Sequence, residues 1–192
     1  MTADIPDIDT ARLRLVSLGI DFLRAAVAGD LPQLRTQVDF SIPDPCSLIR
    51  RTWIDHRIQM IEEDPAQHPW LNRAIVRKKD NQMVGHINFH HKAPDPYLLE
   101  YVACGAELGY TTDEPFRRKG YATESAVAMM RWAQREHGVD TFILSISPGN
   151  EPSLRMAEAM NFRKVGEHVD EVDGLEWVMR AEFDGSPAPT IY

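Results

Sequence analysis

Apolar and polar residues alternate near the start of the chain, and the spacing then becomes helical. Residues 12–18 read Arg-Leu-Arg-Leu-Val-Ser-Leu, which predicts a strand with one buried face. A helix capped by Asp21 is predicted to run to about Ala28, and a second helix over residues 47–62. Residues 41–45 contain two prolines, which remove backbone donors, so this connection is predicted to be an irregular lid or substrate loop.

The spacing typical of strands returns at residue 73. Residues 73–78 and 83–90 flank the polar residues 80–82, and together they predict a hairpin with a tight turn. A loop with two prolines separates this hairpin from a further strand, which is predicted over residues 100–110. The middle of the chain therefore predicts three strands.

A long helix is predicted next. Small and apolar residues recur at helical spacing from Ala122 to Ala133, and Gly138 is expected to end the helix in a left-handed conformation. A β-branched and aromatic strand follows over residues 141–146. Because strand 100–110, the helix and this strand follow one another, they predict a parallel pair joined by a right-handed crossover.

The last part of the chain predicts a short helix over residues 151–160 and a final hairpin. The strands of that hairpin, residues 162–172 and 175–183, flank Asp173-Gly174, a dipeptide typical of tight turns. Residues 184–192 contain two prolines and are predicted to be a mobile tail. The expected fold is therefore α/β (α+β), with a mixed sheet that is mainly antiparallel.

Composition narrows this picture to one soluble domain. A chain of 192 residues with 43% hydrophobic and 26% charged residues suits a single domain over residues 1–192, with a core of about 10–183. No apolar run approaches the ~20 residues of a membrane-spanning helix and no leader pattern opens the chain, so a cytoplasmic protein is expected. The net charge of -8 argues against a nucleic-acid binder. Neither Cys46 nor Cys104 has metal-ligand spacing, and neither is given a chemical role.

One cluster of positive charge departs from the acidic balance. Arg117-Arg118-Lys119-Gly120 leads directly into the long predicted helix. The first backbone N–H groups of a helix lack intrahelical acceptors, and the helix dipole adds partial positive charge there, so such a segment favours an anion. Taken alone, a solvated basic helix start explains the pattern equally well.

The spacing around this cluster resembles a known family. Arg117-x-x-Gly120-x-Ala122 resembles the Q/R-x-x-G-x-G/A pyrophosphate-binding motif of the GNAT superfamily of acyl-CoA N-acyltransferases. Residues 106–110 (Ala-Glu-Leu-Gly-Tyr) and 115–124 resemble the branch typified by the ribosomal-protein acetyltransferases RimJ and RimL. No P-loop signature occurs, which disfavours a nucleotide-binding protein of that kind.

A second motif further along the chain is similar to the same branch. Asn150-x-x-Ser153, followed by Asn161-Phe162, resembles its N-x-x-S and G-F pair, with Asn161 as another residue that tolerates a left-handed turn. Ala157 occupies the position where many members of the superfamily carry a tyrosine that protonates the departing thiolate. The hydroxyl of Ser153 is expected to point inward, either to protonate the leaving thiolate, as the resemblance implies, or only to bond a local backbone group.

The resemblance implies a binding site for acetyl-CoA and a fold to build it. It implies a V-shaped splay between strands 4 and 5 of the sheet, residues 100–110 and 141–147, flanked by about four helices. The donor would lie in that splay, with the pantetheine on the strand-4 backbone and the pyrophosphate on the basic segment. The cofactor-binding residues implied in this way are Tyr110, Thr111, Thr112, Arg117, Arg118, Lys119, Gly120, Tyr121, Ala122, Thr123, Asn150 and Ser153.

Glu107 is the candidate general base. On an alternating strand it shares a face with Ala103, Gly105 and Gly109, where a lone carboxylate among small residues is expected to be desolvated and to have a raised pKa. An ordinary solvent-facing strand residue is the alternative. Transfer of an acyl group to an amine requires the neutral amine, so a carboxylate near the site is the expected proton acceptor, directly or through water.

Three histidines lie close in sequence but do not predict a metal site. His86 and His90 on one strand would lie ~13 Å apart, which is too far for one zinc ion, and His90 and His91 face opposite sides. They are expected to be solvated or to face the substrate, and no metal is predicted.

Together these patterns predict an N-acetyltransferase that uses acetyl-CoA. The acetyl group would pass to a primary amine, either a protein N-terminus or a small amine, by direct attack in a ternary complex. The alternative is a non-catalytic acyl-CoA-binding regulatory module that keeps the basic segment but has no turnover. A homodimer is an option that the family offers, whereas nucleic-acid and membrane partners are not expected.

Overall fold

Eight strands form one mixed, mainly antiparallel sheet in the computed structural model, which describes residues 5–49, 53–170 and 174–185. Along the chain the strands are β1 Ile8–Asp9, β2 Leu13–Ser17, β3 Arg73–Arg77, β4 Gln82–Phe89, β5 Gly105–Thr112, β6 Thr141–Ile146, β7 Arg163–Asp170 and β8 Gly174–Glu182. Their order in the sheet is β1-β2-β3-β4-β5-β6-β8-β7. β5 and β6 are parallel, as the strand-helix-strand pattern predicted, whereas β6 and β8 are antiparallel.

The described residues form five helices, and sequence analysis predicted four of them. They are α1 Ile20–Ala28, α2 Leu31–Thr36, α3 Trp53–Glu63, α4 Tyr121–His137 and α5 Glu151–Ala159. None of the helices in these ranges is long and apolar enough to cross a membrane. The tip of the last hairpin, residues 171–173, and most of the predicted tail, residues 186–192, lie outside the described residues.

Three details of the predicted helices are wrong. α1 has Gly19 as its N-cap, and Asp21 lies in the first turn. Sequence analysis missed α2, although this helix has its own start signal. Asp30 is its N-cap, and the side chain of Asp30 accepts the backbone N–H of Gln33 at 3.0 Å. Among the described residues α3 begins at Trp53, after a turn over residues 47–49.

Residue contacts divide the chain into two compact units. The N-terminal unit comprises residues 1–88 and 110–125, and the C-terminal unit comprises residues 89–109 and 126–192. The core of the N-terminal unit is aliphatic, with Leu23, Ile54 and Leu71 completely buried. In the C-terminal unit the ring of Phe142 lies 5.9 Å from that of Phe89. A single domain over the whole chain stays a prediction.

The predicted lid, residues 41–45, is tied to the core of the N-terminal unit. Ser41 forms an isolated bridge with Gln82, and Ile42 is buried. Two residues further on, the backbone N–H of Ser47 donates to the carboxylate of Asp113 at 3.1 Å. These contacts anchor the segment at both ends.

β5 begins at Gly105, so the prediction of a strand from Glu100 is wrong. A short 3-10 helix, Pro96–Leu98, and a turn occupy the chain before it, and the side chain of Asp95 accepts the N–H of Tyr97. Pairing between β5 and β6 joins Gly105–Glu107 to Thr141–Ile143 and then ends, although both strands continue. The end of this pairing is the predicted splay.

The end of β5 approaches β4 closely within the N-terminal unit. A Cβ atom on Gly85 would lie 2.1 Å from the carbonyl oxygen of Thr111, so only glycine fits there. The backbone N–H of Asp113 donates to the carbonyl of Val84 at 2.9 Å. This approach fixes where β5 ends and where the basic segment begins.

Candidate functional site

The basic segment runs through the left-handed region of the backbone twice before α4 begins. Arg118 has a φ of 59° and Gly120 a φ of 76°. Glycine adopts this conformation readily, but arginine rarely does, and such residues concentrate at functional sites. The side chain of Arg117 donates to the carbonyl of Thr112 at 3.0 Å, and that of Lys119 donates to the carbonyl of Pro115 at 2.8 Å. The unusual backbone is thus held at both ends.

The segment presents the N-terminus of α4. The N–H of Glu124 donates to the carbonyl of Gly120 at 3.0 Å, so the N–H groups of Tyr121, Ala122 and Thr123 precede the first bond within the helix. The side chains of Tyr121 and Thr123 are buried, at 8% and 6% exposure. The backbone, with the exposed cations beside it, is therefore what this segment offers to an anion.

Arg12 adds a further cation that sequence analysis missed. Its guanidinium donates to the carbonyl of Lys119 at 3.0 Å, pairs with Glu124 at 2.6 Å and lies 5.0 Å from the ring centre of Tyr121. No local pattern could have indicated this, because Arg12 lies far from the segment in sequence. It fixes the carbonyl next to Gly120 and so supports the loop.

Tyr110, Thr111 and Thr112 lie in β5 within the same unit as the basic segment. All three are partly buried, and the carbonyl of Thr112 accepts the side chain of Arg117. The structure thus brings together this strand end and residues 117–123. Asn150 and Ser153 belong to the C-terminal unit.

Glu107 is largely enclosed on β5, with 13% of its side chain exposed, and its pKa is shifted in the direction opposite to the prediction. Burial acts to raise the pKa of this carboxyl, yet the hydrogen bond and charge of His90, a hydrogen bond from Ser145 and the charge of His168 outweigh burial and lower it to about 2. Nδ1 of His90 lies 3.3 Å from Oε2 of Glu107. Sequence analysis treated the carboxylate as isolated, and it missed these partners because each lies on another element.

More ionisable groups surround this pair in the C-terminal unit. Asp95 is 2% exposed, and its pKa is raised, chiefly by burial and in part by the charge of Glu107. His168 on β7 lies 3.5 Å from Glu176 on β8. Within the described ranges no group of three or more His, Cys, Asp and Glu side chains is placed to hold a metal ion. His86 belongs to the N-terminal unit, where its Nδ1 lies 3.2 Å from Oγ of Ser47.

Asn150 and Ser153 meet at the start of α5. Asn150 is the N-cap, and its side-chain oxygen accepts the backbone N–H of Ser153 at 3.3 Å. Ser153 is half-buried on the same side as the buried residues Met156 and Ala157. The stripe is therefore buried at its apolar positions, and the role of the Ser153 hydroxyl stays a prediction. Asn161 has a φ of 65°, which confirms the left-handed turn expected there.

Comparison with known proteins gives matches over most of the chain. A family model described as "Acetyltransferase (GNAT) domain" matches residues 22–163. Uncharacterized N-acetyltransferase YnaD of Bacillus subtilis is 26% identical over 92 residues, or 48% of this chain and 49% of that protein. Alpha/beta-tubulin-N-acetyltransferase 9 of Mus musculus is 33% identical over 88 residues, or 45% of this chain and 34% of that protein. These matches therefore span about half or less of the length of the curated relatives.

A solved structure extends the likeness in fold to the whole chain. RimL, a ribosomal L7/L12 alpha-N-protein acetyltransferase in complex with coenzyme A, matches with a TM-score of 0.61 at 17% identity, over 94% of this chain and 99% of that chain. At this identity the likeness concerns the fold alone. It confirms the predicted mixed α/β architecture.

Proposed function

The chain belongs to the GNAT acetyltransferase family, whose model covers residues 22–163, and we propose that it transfers an acetyl group from acetyl-CoA to a primary amine. The observation that carries the proposal is the loop before α4. Its two left-handed residues, Arg118 and Gly120, lead directly into the N-terminus of α4 beside exposed cations. The shared fold with RimL supports the RimJ/RimL-like resemblance of the motifs.

The basic segment fits the pyrophosphate of acetyl-CoA. A pyrophosphate carries negative charge and many acceptor oxygens, which suit backbone N–H groups and a helix dipole. We assign this role to residues 117–123, whose cations add charge-assisted contacts. The absence of a Cβ at Gly120 lets an anion approach the backbone closely.

The end of β5 fits the pantetheine arm of the same molecule. The pairing of β5 with β6 stops at Glu107, so the backbone groups from Leu108 to Thr112 are not in register with residues of β6. We assign the pantetheine amides to the backbone of Tyr110, Thr111 and Thr112. For Asn150 and Ser153, which lie in the C-terminal unit, a cofactor role rests on the resemblance of their motif alone, and Ser153 either protonates the departing thiolate or serves only the first turn of α5.

The proposed transfer is a direct attack by the amine, without an acyl-enzyme. Acetyl-CoA supplies an acetyl group already activated as a thioester. Cys46 is a poor nucleophile because burial raises the pKa of its thiol to about 11. Glu107 is the carboxylate on which loss of the amine proton depends, and its low pKa keeps it ionised at neutral pH.

The acceptor is assigned by class only. The name of RimL specifies a protein alpha-amine, and that of the mouse relative specifies tubulin. A protein N-terminus is therefore one acceptor class to test, and small amines are the other. The net charge of -8 suits a cationic acceptor of either class.

A screen of amines tests this function. Purified protein is offered acetyl-CoA with N-terminal peptides or small amines, and thiol release is followed. Release above the hydrolysis background is expected with at least one amine. Acetyl-pantetheine, which lacks the pyrophosphate, is the control donor, and its KM should be much higher than that of acetyl-CoA. Binding of CoA with no thiol release from any amine would favour the regulatory module instead.

A further inference from the structure

Glu107 belongs to a row of polar side chains on one face of the C-terminal unit. Paired residues project to the same side of a sheet, and Glu107 is paired with Ile143 on β6. Ser145, two residues further along β6, therefore shares this face. His168 and Glu176 are paired between β7 and β8. The row thus crosses four strands, and Glu107 lies at its β5 end.

His90 is fixed against Glu107 by two contacts. Its backbone N–H donates to the carbonyl of Glu107 at 2.8 Å, and its ring Nδ1 lies 3.3 Å from the carboxylate. The two side chains differ in exposure, at 13% for Glu107 and 40% for His90. The carboxylate is therefore enclosed, whereas the imidazole reaches solvent.

This geometry selects one tautomer of the imidazole. An ionised carboxylate only accepts hydrogen bonds, so a neutral ring facing it carries its proton on Nδ1. Nε2 then keeps its lone pair and can take a proton. Glu107 fixes both the orientation of the ring and the position of its proton.

The carboxylate is a weak proton acceptor by itself. An alkylammonium group has a pKa of about 10, so transfer to a carboxyl with a pKa of about 2 is unfavourable by roughly eight powers of ten. A nitrogen lone pair such as that of Nε2 is in general a stronger base than a carboxylate oxygen. The acceptor of the proton is better sought in the partner of Glu107.

We propose that His90 is the catalytic base, with Nε2 taking a proton from the acceptor's ammonium group, and that Glu107 is a positioning residue that acts through Nδ1. This inference rests on the proposed acetyl transfer. The N–H bond breaks, and its electron pair stays on nitrogen to form the new bond to the acetyl carbon. The C–S bond breaks and its electron pair goes to sulfur, which receives the second proton of the nitrogen. His90 releases the first proton to solvent.

Other charged groups also face the pair. Asp95 and His91 lie on the turn after β4, and the charge of Asp95 is coupled to both His90 and Glu107. From β7, the charge of His168 acts on Glu107, and His168 is itself paired with Glu176. Asp95, His168 and Glu176 are common to wild type and to all the variants used below, and the control His91→Ala measures the contribution of His91.

The tautomer is measured by NMR of the 15N-labelled protein, without any substrate. In wild type above neutral pH, the His90 ring should carry its proton on Nδ1. In Glu107→Ala, the ring should return to the Nε2–H form that free imidazole prefers. An Nε2–H ring in wild type would overturn the positioning by Glu107.

Kinetics test the catalytic part. His90→Ala should lower kcat/KM by about 10²–10³-fold and flatten the acidic limb of its pH profile, while the Kd for CoA stays within twofold. Added imidazole should restore part of the rate, which a merely structural role would not allow. His91→Ala, whose ring contacts the carbonyl of Lys92 at 2.8 Å, is the matched control and should stay within twofold of wild type. His90→Gln checks the result if the alanine variant does not fold.

The outcomes separate this inference from the function on which it rests. Wild-type kcat/KM retained by folded His90→Ala or His90→Gln overturns the role of His90 and leaves acetyl transfer intact. Wild-type protein that binds CoA but acetylates no amine overturns both. Loss of rate with an unchanged pH profile and no rescue by imidazole assigns His90 a structural role instead.

Discussion

The basic segment before α4 and the polar row around Glu107 are built in opposite ways. Residues 117–123 are contiguous, and they offer backbone N–H groups next to exposed side chains. Glu107 obtains its properties from His90, Ser145 and His168, which lie on three other parts of the chain. The proposed recognition of the donor is therefore local and depends on the backbone, whereas the proposed chemistry toward the acceptor depends on tertiary packing of side chains.

This difference predicts how each region fails. Exposed cations are screened by salt, and each contributes modestly, so single substitutions in residues 117–119 should weaken binding in steps. A substitution that removes the charge of an enclosed carboxylate should have a much larger effect, because the hydrogen-bond partners around it are positioned to stabilise that charge. Substitutions in the two regions should thus separate affinity for CoA from the rate of transfer.

The largest expected effect is that of Glu107→Gln on turnover. The variant keeps the shape of the side chain but removes the charge that holds His90, so kcat should fall about 10²–10³-fold while the Kd for CoA stays within twofold. Steady-state kinetics and calorimetry of CoA binding measure the two quantities. An unchanged kcat would remove Glu107 from the mechanism.

Glu182→Gln is the matched control for that substitution. Glu182 also lies on a strand of the sheet, and its carboxylate accepts the hydroxyl of Thr141 at 2.8 Å. Hydrogen bonds from Arg180 and Thr141 lower its pKa, as partners do for Glu107. Its kcat should remain near that of wild type, and an equal loss in both variants would indicate a general defect of the sheet.

The next effect is a pH dependence of stability that comes from Glu107. Its folded pKa of about 2 lies below the ordinary value of 4.5 for a glutamate, so the unfolded chain binds the proton more readily. The resulting stabilisation, about 3 kcal/mol, is fully present above the unfolded pKa and is lost as the pH falls toward 2. The difference in unfolding free energy between wild type and Glu107→Gln should therefore shrink from pH 5 to pH 2.

Urea unfolding of the two proteins at a series of pH values measures this difference. The other carboxylates are common to both proteins, and Asp95 is the neighbour whose pKa also depends on the charge of Glu107. A difference that stays constant between pH 5 and pH 3 would indicate an unshifted pKa and contradict the depressed one, whereas a difference that grows in favour of wild type as the pH falls would indicate the raised pKa expected of an isolated carboxylate.

A smaller effect is expected at Gly120. Its φ of 76° is unfavourable for alanine by about 1–2 kcal/mol, and the new Cβ would lie 3.3 Å from a nitrogen of Arg12. Gly120→Ala should weaken CoA binding about tenfold, because the methyl group would displace the N–H groups that we assign to the pyrophosphate. Gly138→Ala, at a φ of 68° at the other end of α4 with nothing within 4 Å, is the control. It should lose similar stability but keep its affinity for CoA, and equal affinities in the two variants would argue against the assigned phosphate site.

Sequence patterns predicted what is local in this molecule. The hairpin of β3 and β4, the helix α4 and the stripe on α5 follow from periodicity, and the loop before α4 follows from a contiguous motif. The onset of β5 was placed too early, because apolar residues before Gly105 belong to a turn that packs on the sheet. Leu98 there is buried against Ile143 and Val178.

The partners of Glu107 could not be predicted because they are set by strand register. The pairing of Glu107 with Ile143 decides that Ser145 lies on the same face, and the alternation within one strand carries no such information. The contact of Arg12 with the basic segment could not be predicted either, because it is formed by tertiary packing between residues far apart in sequence. Long-range polar contacts of this kind determine the electrostatics of the candidate site.

The smallest expected effect distinguishes a helix cap from a ligand contact. Asn150 and Asp30 are both N-caps, and each accepts a backbone N–H three residues along the chain. Replacement of either by alanine should cost about 1 kcal/mol of unfolding free energy, measured in urea. Only Asn150→Ala should also raise the KM for acetyl-CoA, because only Asn150 is assigned to the cofactor. If both variants keep the wild-type KM, Asn150 serves the helix alone, and Ser153 is then the residue of α5 that is left to test for contact with the cofactor.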